Sequence, residues 1–145
     1  MVLAGMADPF SARASLGGDV TSVHDDQAKL QASLQTTSKD LYSIHEMRAP
    51  NGVVVKEFVS PAGRVFGVAW QGPTRPDMRQ VLGAYFDPFT KAVQAQKEQH
   101  VVMRGPLTVQ LPGLVVEMGG HMRAFTGRAY VPQMVPAGVR AEELR

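Results

Sequence analysis

No cysteine occurs among the 145 residues of this chain. The absence excludes disulfide bonds, cysteine nucleophiles and cysteine-ligated zinc. It does not identify a cellular compartment, because exported domains of this length can fold without disulfides. The chain is long enough for one domain with an ordinary apolar core. We therefore expect a single domain that needs no covalent or metal staple.

Long apolar runs and basic runs are missing as well. The apolar stretch at residues 2–7 is followed by Asp8 and Pro9, and it is too short for a membrane span or for the core of a signal peptide. The 15 basic residues nearly balance the 13 acidic ones, giving a net charge of +2, and they form no run. We therefore expect no transmembrane segment and no nucleic-acid partner.

Sequence motifs that would identify a catalytic or cofactor site are also absent. A zinc hydrolase needs two histidines one helical turn apart, a serine hydrolase needs a Gly-x-Ser-x-Gly elbow, and nucleotide loops need spaced glycines. None of these patterns occurs, and Ser60 simply precedes Pro61 in a predicted turn. The histidines are scattered, at His24, His45, His100 and His121. We assign no catalytic residue, no metal site and no cofactor.

The start of the chain has the features of a processed leader. Ala12-Arg13-Ala14 places small residues at the spacing that signal peptidase requires, directly before Ser15. We predict that residues 1–14 are a disordered signal remnant behind vector-derived residues. The alternative is a disordered native terminus.

The first regular element is predicted to be a helix at the edge of the domain. It can begin at Thr21 or Ser22, whose hydroxyl oxygens can accept hydrogen bonds from free backbone N–H groups of the first turn. Asp25 and Asp26 place negative charge near the start of the helix, where the helix dipole stabilises it. The thin apolar stripe of this helix extends to Leu34.

Three strands in a meander are predicted next, at residues 41–48, 53–59 and 64–70. The connector Pro50-Asn51-Gly52 tolerates a positive φ, and Pro61 with Gly63 suits the second turn. These turns should fix the register of the meander.

A helical region follows the meander. Asp77 with Gln80 three residues later resembles a capping box, and the helix is predicted to kink or restart at Asp87-Pro88 before it continues toward Glu98. Strands are predicted again at residues 107–111, 114–118 and 121–131.

The pattern predicts the α+β class, with a single domain over residues 15–131. We expect an antiparallel sheet of about five to six strands, built from a meander plus hairpins and packed against helices on one face. The tail at residues 132–145 is predicted to be loosely structured, with one terminal turn at most.

The last predicted strand carries the candidate binding surface. Strict alternation places its first three candidates on one face, and a bulge at Gly127 would bring the other two to that face. Guanidinium groups bind carboxylates and phosphates, so an anionic glycan, lipid headgroup or peptide carboxylate is a chemically suitable ligand. Without the bulge, the arginines belong to an ordinary solvated sheet face. The candidate ligand-binding residues are His121, Arg123, Phe125, Arg128 and Tyr130.

A set of ordered landmarks between Ser15 and Arg145 resembles an uncharacterised family of exported proteobacterial proteins, the domain of unknown function 2844. The resemblance implies export past the inner membrane, to the periplasm or cell surface of a Gram-negative bacterium. It carries no established activity to any residue. The landmarks are Leu16-Gly17-Gly18, Ser60-Pro61-Ala62-Gly63, Val65-Phe66, Trp70-Gln71-Gly72-Pro73, Pro76-Asp77, Leu82-Gly83-Ala84-Tyr85-Phe86, Gly119 to Phe125, Gly127-Arg128-Ala129 and Pro136-Ala137-Gly138-Val139.

Three hypotheses for function remain open from the sequence. The leading one is a non-enzymatic binding module of the cell envelope, with an anionic ligand or an envelope protein as its partner. The second is an enzyme in which His121 acts as acid or base and Arg123 or Arg128 holds the substrate. The third is an assembly component that recruits partners through an exposed strand edge at residues 107–118. A concave pocket at His121 would favour the enzyme, and an uncovered edge would favour the assembly component.

Overall fold

The computed structural model describes residues 16–20, 23–24, 27–28, 31–99 and 106–145. The predicted signal remnant at residues 1–14 lies outside the described residues, as do His100 and several residues of the predicted first helix. Within that predicted helix, Val23, His24, Gln27 and Ala28 are helical. Leu34, the last residue of its predicted stripe, lies in a strand instead.

One antiparallel sheet of seven strands dominates the described part of the chain, in the order β1-β2-β3-β4-β7-β6-β5. The α+β class and the single antiparallel sheet are as predicted, but the expected count of five to six strands is wrong. The strands are β1 (Ser33–Ser38), β2 (Ser43–Arg48), β3 (Val54–Val59), β4 (Val65–Gly72), β5 (Leu107–Leu111), β6 (Leu114–His121) and β7 (Ala124–Tyr130).

The additional strand is β1, in a region where a helix with a stripe extending to Leu34 and no strand was predicted. It pairs with β2 in an unbroken register from Ser33 opposite Arg48 to Ser38 opposite Ser43. Leu34 is its one apolar residue, so no alternating pattern marks it as a strand. Pairing with the edge of β2, helped by the β-branched threonines, determines its conformation.

The predicted meander of β2, β3 and β4 is confirmed, and its turns use the expected residues. Gly52 has a φ of 88° and Gly63 a φ of 79°, both in the left-handed region that glycine adopts readily. The Asn51 side chain also accepts a hydrogen bond of 3.1 Å from the backbone N–H of Val53.

Two helices connect β4 to β5 along one face of the sheet. Helix α1 (Met78–Leu82) is capped by Asp77, whose carboxylate accepts hydrogen bonds from the N–H groups of Arg79 and Gln80. A 3-10 turn (Gly83–Tyr85) then leads into α2 (Phe86–Glu98). The predicted break at Asp87-Pro88 is therefore displaced to Gly83. Pro88 lies in the first turn of α2, where its missing N–H has little cost.

The helices cover the main apolar core. The register of β3 against β4 shifts between Phe58 and Val59, and the extra residue is Phe66 of β4. This bulge turns Phe66 to the other face of the sheet, where alternation already places Phe58. Buried members of the main core include Met47, Val55, Val68, Trp70, Val116 and Ala129 from the sheet and Val81, Leu82 and Phe89 from the helices.

The chain after β7 covers part of the second face of the sheet. Residues 131–145, which we call the tail, contain 3-10 turns at Pro132–Met134 and Ala141–Glu143. Leu144 is fully buried in a second core cluster with Phe58, Phe66 and Ala69. The tail thus closes a small apolar core of its own on the face away from the helices.

Polar contacts fix the tail to the sheet at several points. Arg128 of β7 donates to the carbonyl oxygen of Ala141 at 2.7 Å, and the Lys56 ammonium of β3 donates to the carbonyl oxygen of Arg145 at 3.0 Å. Burial and the nearby Glu143 carboxylate raise the pKa of Tyr42, whose ring packs against Phe58. These contacts place the tail beside an open part of the same face.

Candidate functional site

The five predicted binding residues do not share one strand. His121 is the last residue of β6, Met122 and Arg123 form the turn, and Ala124 begins β7. The prediction of a continuous strand over residues 121–131 is therefore wrong. The turn contains no glycine or asparagine, and Arg123 itself adopts the left-handed φ of 66° that such a turn requires.

The described strands contain no bulge at Gly127, the condition on which a single five-residue strip depended. β7 pairs with both β4 and β6 in continuous register through Gly127. Alternation then places Phe125 and Ala129 on the helix-covered face, while Arg128 and Tyr130 project to the second face. The proposed single strip is thus divided between two faces, and a binding role for the five residues stays a prediction.

The second face holds a concave surface beside the tail, with a cavity of about 430 Å³. A smaller cavity of about 320 Å³ adjoins it at the β6 and β7 hairpin and shares Val54, Gln71 and Thr126 with it. We call the two together the basic groove. Its larger part is lined chiefly by Val54, Lys56, Ala69, Gln71, Pro106, Glu117, Gly119, Thr126, Arg128, Leu144 and Arg145.

Two cross-strand rows form the floor of the basic groove. Lys56, Ala69, Arg128 and Glu117 are consecutive register partners on β3, β4, β7 and β6. Two residues further along the strands, Val54, Gln71, Thr126 and Gly119 form the parallel row. Alternation turns both rows to the second face, and Gly119, without a side chain, leaves the floor low near β6.

Basic side chains outnumber acidic ones around the groove. Lys56, Arg128 and Arg145 line the larger cavity against one carboxylate, Glu117, and Arg123 lines the smaller one. Arg128 is already engaged, because its Nε lies 2.5 Å from Glu117 Oε2 and its Nη1 donates to Ala141. Lys56 donates to the backbone oxygen of Arg145 and lies 3.9 Å from the Glu46 carboxylate. Since Glu46 also pairs with Arg48, the cations at the β3 end of the groove outnumber its one carboxylate.

The groove brings together some of the predicted residues. Arg128 lines the larger cavity, and Arg123 and Phe125 line the smaller one, with Arg75 stacked 5.1 Å from the Phe125 ring centre. His121 lines neither cavity. Tyr130 packs against the second core cluster.

Sequence reasoning missed several residues of the groove, among them Lys56, Gln71 and Thr126. Lys56 and Gln71 each lie one position away from a buried neighbour, Val55 and Trp70 respectively, and Thr126 lies between two half-buried residues. Alternation within each strand could have placed them on the second face. Lys56 and Gln71 lie close to Thr126 because β4 pairs with β7, and no sequence pattern predicts that pairing.

A buried carboxylate and a half-buried histidine lie elsewhere, on the helix-covered face. Glu57 is almost fully buried and is the register partner of His45 on β2. The Thr36 hydroxyl is 3.2 Å from His45 Nδ1, and the Ser43 hydroxyl is 3.3 Å from its Nε2. Burial, and to a lesser extent the charge of His24, lowers the pKa of His45.

Acid should therefore destabilise the protein in part through His45. A histidine with a lowered pKa binds fewer protons when folded than when unfolded, so its contribution to stability is intact above the ordinary pKa of 6.5 and is lost as the pH falls below it. Urea unfolding of the wild type and of His45→Gln at pH 8 and pH 5.5 would measure this. The wild type should lose more stability on acidification than the variant, and an equal loss would contradict the assignment.

Two further properties concern the described residues alone. No group of three or more histidine, aspartate or glutamate side chains among them is close enough to hold a metal ion. No helix in the described ranges is long and apolar enough to cross a membrane.

Comparison with known proteins gives one match. The model of a family described as Protein of unknown function (DUF2844) matches residues 12–144. No curated protein and no solved structure matches this chain.

Proposed function

Since this chain belongs to the DUF2844 family, which brings no activity to any residue, we propose its function from the geometry of the basic groove. The protein is a non-enzymatic binding module of the cell envelope that holds a small anionic ligand in this groove. The observation that carries the proposal is the excess of Lys56, Arg128 and Arg145 over Glu117 around a cavity of about 430 Å³. That volume lies within the range of small-molecule sites.

The chemistry of the groove supports binding over acid and base catalysis. Lysine and arginine side chains remain protonated near neutral pH, so they hold anions well but exchange protons poorly. The enzyme hypothesis relied on His121 in a pocket, and His121 lines neither part of the groove. Support for location outside the inner membrane comes from Ala12-Arg13-Ala14, which has the spacing of a signal peptidase site.

The test is a titration of the labelled protein with the anionic and neutral fractions of an envelope extract, followed by proton–nitrogen correlation spectra. The anionic fraction should shift the amide signals of Lys56, Gln71 and Thr126. Lys56→Gln should weaken this binding about tenfold, because a hydrogen bond to a charged group is lost.

Lys91→Gln is the matched control, since it removes the same charge from an exposed position on α2, on the other side of the sheet. It should bind the anionic fraction as the wild type does. If the two substitutions weaken binding equally, the effect is one of net charge and the groove is not the site. Absence of shifts at the groove with every anion would reject the proposed function.

One observation favours the assembly component as a second candidate. β5 (Leu107–Leu111) is an outermost strand of the sheet, so one edge of its backbone is not paired with another described strand. β6 is paired on both sides, which limits the predicted edge at residues 107–118 to β5. Sedimentation equilibrium would detect self-assembly through this edge as a mass that rises with protein concentration.

A further inference from the structure

We propose that the ligand of the basic groove is an amphipathic anion. Its acidic head group is held by Lys56 and Arg145 near β3, and its apolar body extends across the sheet toward Gly119 and Pro106. The inference rests on the proposed function and adds the chemical class and the orientation of the ligand.

The position of the head group follows from the charges along the groove. Lys56 and Arg145 line the β3 end, where the Lys56 ammonium donates to the backbone oxygen of Arg145 and lies 3.9 Å from the Glu46 carboxylate. Glu46 also pairs with Arg48, so the cations at this end outnumber its one carboxylate. Glu117 lies toward the β6 end and is paired with Arg128. An acidic group is therefore favoured at the β3 end, which keeps a net positive charge, over the β6 end, where the charges of Glu117 and Arg128 offset each other.

The apolar body follows from the side chains that line the remaining length. Val54 is half-buried on β3, Leu144 contributes from the tail, and Pro106 lies beside Gly119, within 3.7 Å of the place where a Cβ on that glycine would stand. Neighbouring strands are about 4.8 Å apart, so the floor from β3 to β6 spans about 14 Å. An extended apolar chain can lie on this floor.

Gln71 and Thr126 lie midway between these ends. Both are exposed, and both present carbon atoms to the groove together with an amide or a hydroxyl group. They can contact an apolar chain and also bind a single polar substituent on it. A compact, uniformly charged ion would leave this middle section unused.

Three small probes separate the parts of the inference, namely octanoate, acetate and 1-octanol. Each methylene that is buried should tighten binding by about fourfold. Partial burial in an open groove should therefore make octanoate bind roughly 30-fold more tightly than acetate. Octanoate should also bind about tenfold more tightly than octanol, because octanol lacks the charge that Lys56 holds. Proton–nitrogen spectra recorded at low salt would give these affinities.

Two variants test the orientation. Lys56→Gln should remove most of the preference for octanoate over octanol, whereas Lys91→Gln should leave it unchanged. Gly119→Val places a side chain on the floor near Pro106 in ordinary contact, so it should weaken octanoate without changing acetate. The melting temperature of each variant would show that it is folded.

The outcomes distinguish the inference from the proposed function. If octanoate binds no more tightly than acetate, the apolar body is rejected and an anion-binding groove remains. If octanol binds as tightly as octanoate, the acidic head group at Lys56 is rejected and the inference is overturned. If none of the probes shifts the amides of Lys56, Gln71, Gly119 and Thr126, the inference fails, and the extract titration decides separately on the proposed function.

Discussion

Replacing Gly127 by alanine is expected to lower the free energy of unfolding by about 3 kcal/mol. The indole ring of Trp70 lies directly over Gly127, and a Cβ on this residue would stand 2.5 Å from Trp70 Cε2 and 2.8 Å from its Nε1. Trp70 is buried and belongs to the main core, so its ring cannot turn outward without displacing neighbours. The added methyl group must therefore distort the pairing of β4 with β7 or the core above it.

Urea unfolding would measure the loss, and the protein supplies its own probe. Trp70 is the single tryptophan of the chain, so the fluorescence of the folded state reports directly on any displacement of this ring. A changed emission spectrum in the folded variant, together with a lower unfolding midpoint, is the expected result.

Gly113→Ala is the matched control for this prediction. Gly113 lies in the turn between β5 and β6, and nothing lies within 4 Å of the place where its Cβ would stand. Alanine there should leave stability within about 0.5 kcal/mol of the wild type. If Gly127→Ala is as well tolerated as Gly113→Ala, then Trp70 does not lie against β7 as described.

Leu144→Ala is expected to cost about 3 kcal/mol, within the range typical of buried leucines. Leu144 has no exposed surface and packs against Phe58, Phe66 and Ala69 on the second face. Its truncation removes apolar contacts and leaves a cavity between the tail and the sheet. Calorimetric or urea unfolding would measure the effect.

The same measurement tests the expectation that residues 132–145 are loosely structured. A loose tail predicts that Leu144→Ala is neutral, whereas the packed tail predicts a large loss. Leu41→Ala provides the comparison, because Leu41 is 43% exposed and should cost less than about 1 kcal/mol. Equal effects of the two substitutions would favour a loose tail.

The sequence predicted the parts of the fold that have strong local signals. Asn51-Gly52 and Gly63 marked the turns of the meander, and Asp77 marked the start of α1. β1 was not predicted because its polar sequence contains one apolar residue and therefore shows no alternation of apolar and polar residues. The turn at Met122-Arg123 was not predicted because neither residue is common in turns, although Arg123 adopts the left-handed conformation there.

Gly127 shows why a single signal can be read in two ways. Glycine within a strand accompanies either a bulge or a close approach by another group. The sequence left a bulge and a regular strand open, and the structure has a regular strand with a close approach by Trp70. Only the pairing of β4 with β7 reveals that these two residues meet.

The sequence indicated which types of side chain line the candidate site, but not where in the fold these side chains lie. Arg123, Phe125 and Arg128 do line the groove, and the preference for an anion stays a proposal. The sequence could not predict that Lys56 and Gln71 lie near the arginine side chains of this site, because their strands are far from β7 in the sequence. The tail was also unpredictable, since a lone leucine after Glu142-Glu143 gives no periodic signal of burial.

The order of the strands also has a kinetic consequence. Every neighbouring pair among the seven strands joins elements consecutive in sequence, with the exception of β4 and β7. Hairpins form through short loops, whereas β4 can meet β7 only after the long intervening chain, including both helices, has closed on itself. The largest entropic cost of folding therefore falls on the pairing of β4 with β7, where Trp70 covers Gly127. This pairing joins two sets of strands, β1 to β4 and β5 to β7, each of which can begin to form alone.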